Sequence, residues 1–344
     1  MLEDEVTSAL PGMTPRVPRP TPVLERDPSV QSRIMGGALR FTLRPLMHRI
    51  PGRPLPIRAA RAAIDRAAAL LPTDRRVRVE RVRDPQLRSG LVVKAEWVIP
   101  DGDHADDAAV LYLHGGGYVV CSPQTHRSLT TRIAVDNAMP VLVPHYRLAP
   151  EHPFPAALED ALESYRWLLA RGFTRIVLAG DSAGGHLAAS LAAEISRHEL
   201  PSPVGMVLYS PWVDLSCELS LAEDALVRDP YISPRSALRV ARLVTGQKMD
   251  PRLALLSLEW SELPPVLIQL GGAEVLRPEG EAFAELLMAA GAPVELQVWP
   301  GQMHVFQLLN KLLPDADEAM RETSAFIRAV VGDRQQPTNL TVVA

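Results

Sequence analysis

Short apolar runs alternate with helical periodicities after residue 108, and this predicts an α/β fold with a mostly parallel sheet covered by helices on both faces. The candidate strands are 109–113, 140–145, 175–179, 204–210, 265–270 and 293–298, most of them apolar almost without interruption, the mark of strands buried on both sides. Between them, 125–137, 155–171, 183–197 and 278–290 carry helical spacing, and a further helix is predicted at 315–331. Strands separated by helices in this way are joined by parallel crossovers.

Ahead of this core, prolines at 11, 15, 18, 20, 22 and 28 predict an extended segment. Residues 56–71 read as a helix, with Ile57, Ala60, Ile64, Ala67, Ala68 and Leu71 on one stripe and Arg58, Arg61, Asp65 and Arg66 off it. Alternating runs at 77–83 and 91–99 predict an antiparallel pair. More than 50 residues separate the runs 204–210 and 265–270, far more than a crossover needs, so a helical insertion is expected at about 211–258. The polar end reads as a loose tail. The expected organisation is therefore 1–75 as an N-terminal segment, 76–331 as the α/β body, and 332–344 as the tail.

Composition narrows the function. Of 344 residues, 36 are Lys or Arg and 40 are Asp or Glu, a net charge of −4 that argues against nucleic-acid and anionic-membrane partners. Two cysteines, Cys121 and Cys217, make no disulfide scaffold. No apolar run approaches the length of a spanning helix. The acidic opening Met-Leu-Glu-Asp-Glu lacks an apolar core behind it, so a cytoplasmic location is expected. No His-Glu-x-x-His and no Cys pair with ligand spacing occurs, so neither metal nor cofactor is expected.

Two motifs carry chemistry. Gly180-Asp181-Ser182-Ala183-Gly184 follows an apolar strand and opens an apolar helix, the context in which a strained turn presents a nucleophilic serine. A glycine-rich turn whose serine merely caps the helix would share those letters. His114-Gly115-Gly116-Gly117-Tyr118 directly follows the run 109–113, and its glycines let backbone amides face a cavity as oxyanion donors, with the Ala183 amide as the expected partner. A flexible loop and a phosphate loop are the rival readings, and for the second no Gly-x-x-x-x-Gly-Lys-Ser/Thr occurs. The chain order serine, acid, histidine asks for a base late in the sequence, and His304, in a loop just past the last strand, meets it better than His198 on the tail of a helix. Glu274, after the run 265–270, stands where the orienting acid belongs. Glu279, Glu281 and Glu285 fall on the following helix and read as solvent-exposed.

With these residues in hand the chain resembles the hormone-sensitive-lipase-like esterases, also called bacterial family IV carboxylesterases. His114–Tyr118, the long motif Tyr146-Arg-Leu-Ala-Pro-Glu-His-Pro-Phe-Pro-Ala156 and Gly180–Gly185 carry the resemblance, which spans about 75–331. It implies an α/β-hydrolase fold with a mostly parallel eight-stranded sheet and a helical cap made from the N-terminal helices and the insertion. It implies Ser182 as nucleophile, His304 as base and Glu274 as acid, an oxyanion hole from the amides of Gly115, Gly116 and Ala183, and substrate contacts at His114, Tyr118 and Asp181. The family usually has Asp at the position of Glu274 and Asn at that of His186, which is read as packing. The implied activity is hydrolysis of short-to-medium acyl esters through an acyl-enzyme, on a small-molecule ester. An amidase or N-deacylase would use the same machinery. A pure binder, like the gibberellin receptors that resemble this family but lack the histidine, is disfavoured by His304. A homodimer through the apolar edge strand 293–298 is a further expectation.

Overall fold

The computed structural model describes residues 27–47, 54–85, 90–227, 229–246 and 249–332. Nearly all of the proline-rich stretch 11–28 and the tail beyond 332 lie outside them. Eight strands form one sheet: β1 Val77–Pro85, β2 Val92–Pro100, β3 Ala108–Leu113, β4 Val141–Pro144, β5 Arg175–Asp181, β6 Gly205–Tyr209, β7 Val266–Gly271 and β8 Val294–Trp299. Their spatial order is β1-β2-β4-β3-β5-β6-β7-β8. β1 and β2 pair antiparallel, with Val77 opposite Pro100, and β2 runs antiparallel to β4. Every later pair is parallel.

The unbroken apolar runs have a direct cause. Alternate residues of each strand enter different cores. Leu111, Leu178, Leu208 and Ile268 point to the side covered by α4 Ala156–Ala170, α5 Ala183–Arg197 and α8 Arg277–Ala289. Val110, Val177, Val207 and Leu267 point to the side covered by α3 Arg127–Asn137 and α9 Pro314–Gly332. With both faces dry, neither parity of strand position is polar unless the side chain finds an internal partner, as Gln269 of β7 does at Gln297 and the Ala319 carbonyl.

Two helices precede the sheet. α1, Val30–Met47, is absent from the sequence reading, because Gly36-Gly37 and Pro45 break its pattern. It docks through Met35 and Leu39 on the cluster around Trp299 and Phe306, and Ser32 donates to Asp315 at 2.7 Å. α2, Pro54–Ala68, corrects the predicted stripe. Arg61 and Asp65 face the body, while Ala67 is exposed. Arg61 donates to the Val119 and Ala149 carbonyls, both at 2.7 Å, and to Glu151 at 2.9 Å. Asp65 accepts from Ser122 at 2.7 Å. Between β6 and β7 lie α6 Glu218–Glu223, α7 Pro234–Thr245 and two short 3-10 turns, Pro251–Leu253 and Leu255–Ser257. Among the described residues no helix is long and apolar enough to cross a membrane.

Candidate active site

In parallel sheets the carboxyl ends of the strands share one rim, and the candidate residues follow β3, β5, β7 and β8 there. Ser182 sits between β5 and α5 at φ 53°, ψ −122°, a left-handed conformation that a side chain adopts only under constraint. The constraint is visible: the Ser182 amide donates to the Tyr209 carbonyl at 2.9 Å, and the Ser182 carbonyl accepts from Trp212 at 3.0 Å. Gly184 lets this turn cross the end of β3, where a Cβ would collide with the Leu113 and His114 carbonyl oxygens. Ser182 retains partial exposure while both flanking residues are buried.

His304 and Glu274 arrive on the loops after β8 and β7 and are buried together, at 3% and 0% exposure. Nδ1 of His304 lies 2.7 Å from Oε2 of Glu274, which fixes the proton on Nδ1 and leaves Nε2 as the basic nitrogen. Oε1 of Glu274 accepts the Gly271 amide at 2.8 Å. The longer glutamate is thus accommodated by bending back over its own strand end. Burial pulls the imidazolium pKa of His304 down, but the Glu274 hydrogen bond and the charges of Glu274, Asp229 and Asp181 outweigh it, and the net shift is upward. Ser210 links the loops: its Oγ accepts the Val305 amide at 3.1 Å, one residue after Tyr209 holds Ser182.

The glycine loop departs from expectation at its first glycine. The Gly115 amide donates to Oδ1 of Asp181 at 2.9 Å, so it is not offered to a ligand. The same oxygen accepts the Tyr112 hydroxyl at 2.7 Å, and His126 Nε2 lies 3.2 Å from Oδ2. Burial raises the Asp181 pKa, but His126, Tyr112 and Gly115 more than reverse it, so Asp181 is a buried anion that anchors the loop. Gly116, at φ 113°, and Gly117 follow, and among the described residues neither amide donates to another group. The Ala183 amide heads α5, where helix N–H groups lack internal partners.

A family model described as the alpha/beta hydrolase fold matches residues 110–308. The chain is 39% identical to an acetyl-hydrolase of Streptomyces hygroscopicus over 70% of this chain and 81% of that protein. It is 34% identical to the carboxylesterase/phospholipase LipF of Mycobacterium tuberculosis over 91% of this chain and 86% of the relative. A crystal structure of an esterase from the bacterial hormone-sensitive lipase family superposes with a TM-score of 0.79 at 33% identity, covering 89% of this chain and 100% of that one. The chain belongs to the hormone-sensitive-lipase-like, family IV carboxylesterases. It is a carboxylic ester hydrolase with the α/β-hydrolase fold.

In this esterase the three residues expected to touch substrate are buried and engaged elsewhere. His114, 1% exposed, stacks on Tyr146 at 4.3 Å and directs Nδ1 to the Gly115 carbonyl at 2.8 Å; burial lowers its pKa to about 3, so it is neutral. Tyr118, 2% exposed, places its hydroxyl 2.7 Å from Nδ1 of His186. Nε2 of His186 donates to the Leu253 carbonyl at 3.0 Å, so Nδ1 accepts from Tyr118. His186 is therefore more than packing: it ties the glycine loop and α5 to the insertion. The long motif acquires reasons as well. The Tyr146 hydroxyl donates to the His114 carbonyl at 2.6 Å, Arg147 pairs with Asp160, and Glu151 receives Arg61 from α2. Glu279 is corrected outright. It is fully buried, accepts the Asp214 amide at 2.6 Å and contacts Ser220, and burial and Asp214 push its pKa well above the usual carboxylate range. Glu281 is also buried, paired with Arg277, and Glu285 is partly exposed. Sequence reasoning left His126, Asp229 and Tyr231 unassigned, since nothing in their local letters distinguishes them. Among the described residues no group of His, Cys, Asp and Glu could hold a metal ion.

Proposed function

We propose that this esterase works through a Ser182–His304–Glu274 triad and an acyl-enzyme. The observation that carries the reading is the fully buried 2.7 Å contact from His304 Nδ1 to Glu274, on loops tied by Ser210 to the strained Ser182 turn. Nε2 takes the Ser182 proton as the hydroxyl attacks the ester carbonyl. Glu274 stabilises the imidazolium. The oxyanion is met by the amides of Gly116, Gly117 and Ala183; Gly117 replaces Gly115 of the sequence expectation because the Gly115 amide is held by Asp181. The imidazolium then protonates the departing alcohol, and water activated by His304 releases the acid. Short acyl groups are the proposed substrates, on the strength of similarity to a protein named acetyl-hydrolase.

Ser182→Ala tests this. Hydrolysis of p-nitrophenyl butyrate should fall to background with native circular dichroism, and a p-nitrophenyl phosphonate should add its mass to the wild-type peptide containing Ser182 and not to the variant. Retained activity, or a label on another residue, overturns the assignment.

A further inference from the structure

The insertion between β6 and β7 reaches beneath both catalytic loops. Asp229, fully buried, accepts the amides of Tyr231 and Ile232 at 2.8 and 2.7 Å on one oxygen. Its other oxygen accepts the amide of Val275, the residue after Glu274, at 3.1 Å. The turn so closed sends the Tyr231 hydroxyl to the His304 carbonyl at 2.6 Å, with the two rings 5.8 Å apart. One short stretch of the insertion therefore holds the backbone on which the acid rides and the backbone on which the base rides.

We propose that Asp229 and Tyr231 are positioning residues for the reaction: together they set the spacing of Glu274 and His304, and Asp229 adds a second negative charge facing the imidazolium. The inference rests on the triad reading above. A buried carboxylate with three amide donors could be a mere loop brace, but a brace has no reason to reach two separate catalytic loops. The charges facing His304 are Glu274 from the β7 loop, Asp229 from the insertion and Asp181 from the end of β5. Facing Asp229 is His304 itself; burial raises the Asp229 pKa to about 6 against the pull of His304 and the three amides. Loss of the Asp229 charge lowers the pKa of His304, because a nearby anion favours the protonated ring.

The test uses the full chain with Asp229→Asn and Tyr231→Phe, each active-site-titrated with a p-nitrophenyl phosphonate and assayed on p-nitrophenyl butyrate across pH. Per titrated site, kcat should fall roughly ten- to a hundredfold in Asp229→Asn, and less in Tyr231→Phe, the scale expected when catalytic groups are displaced by a fraction of an ångström. KM should be nearly unchanged. The acidic limb of kcat/KM should move to lower pH in Asp229→Asn. Wild-type kcat and an unmoved limb per titrated site, with only a lower melting temperature, overturn the proposal and leave a structural brace. If Asp229→Asn yields no folded protein, Tyr231→Phe decides alone by its kcat against KM. A wild-type enzyme that takes no phosphonate on Ser182 defeats the triad reading instead, a result separate from normal variants of a normally titrating enzyme.

Discussion

Glu274→Gln isolates the charge that the family usually supplies from an aspartate. The carboxylate lies 2.7 Å from His304 Nδ1, and both side chains are buried. With centres of charge about 4 Å apart and an effective dielectric near 20, the carboxylate stabilises the imidazolium by about 4 kcal/mol. That is roughly a thousandfold in rate. The amide does further harm. Its NH2 can donate to Nδ1, which moves the ring proton to Nε2 and disables the base; loss of charge and tautomer together cost about 10⁴ in the best-studied serine triad. We expect kcat to fall by about 10³–10⁴, with KM within a few-fold, since the carboxyl contacts His304 and Gly271 and not the acyl chain. Unfolding in urea should change little, because glutamine preserves volume and can still accept the Gly271 amide. Glu274→Asp should fall between, since the charge survives but cannot reach both His304 and Gly271. The control is Glu279→Gln. Burial and the Asp214 charge push the Glu279 carboxyl toward its neutral form, which glutamine mimics, so activity should stay close to wild type. A crippled Glu279→Gln beside a near-normal Glu274→Gln would refute the reasoning; if both are normal, the enzyme runs on a Ser–His pair.

Two further outcomes follow from groups around the site. His114 and His186 have pKa values held down to about 3 and about 4 by burial, below the 6.5 of an ordinary histidine. The unfolded chain therefore binds more protons below about pH 6.5, and stability should be full above about pH 6.5 and fall progressively as pH drops from there through 4 toward 3. Urea midpoints measured from pH 7 to pH 4 check this; a flat profile would contradict neutral buried rings, and His186→Gln should flatten the slope. Arg61→Ala removes three anchors of α2, on Val119, Ala149 and Glu151, and should cost about 1–2 kcal/mol, read from denaturant unfolding, while faster proteolysis within 54–68 marks the loosened helix. Unchanged proteolysis would show that α2 is held by other contacts.

Much of this molecule was legible in the letters because its strongest signals are local. A strand buried on both faces is apolar at nearly every position, so β3 to β7 announce themselves within a few residues of their ends, whereas β8, at the sheet edge, alternates Val294, Leu296 and Val298 with Glu295 and Gln297. The Ser182 turn needs small neighbours within two residues, and the glycine loop must follow a strand directly, so both motifs are contiguous. Helix α1 was hidden because its glycine pair and proline contradict its propensity, and docking on Trp299 and Phe306 overrides that. Tertiary structure alone decided which partner occupies each polar group. Gly115 and Gly116 look equivalent in the sequence, yet Asp181, 66 residues away, engages one amide and not the other. Glu279 looks like helix surface until the insertion folds over it and brings Asp214 and Ser220 to its carboxyl. Arg61 and Asp65 look like a solvated face until Glu151 and Ser122 meet them. Asp229 and Tyr231 carry no motif at all. Apolar burial depends on the kind of residue and leaves a periodic trace, whereas a hydrogen bond depends on one donor meeting one acceptor, and that meeting is made only when distant segments close on each other.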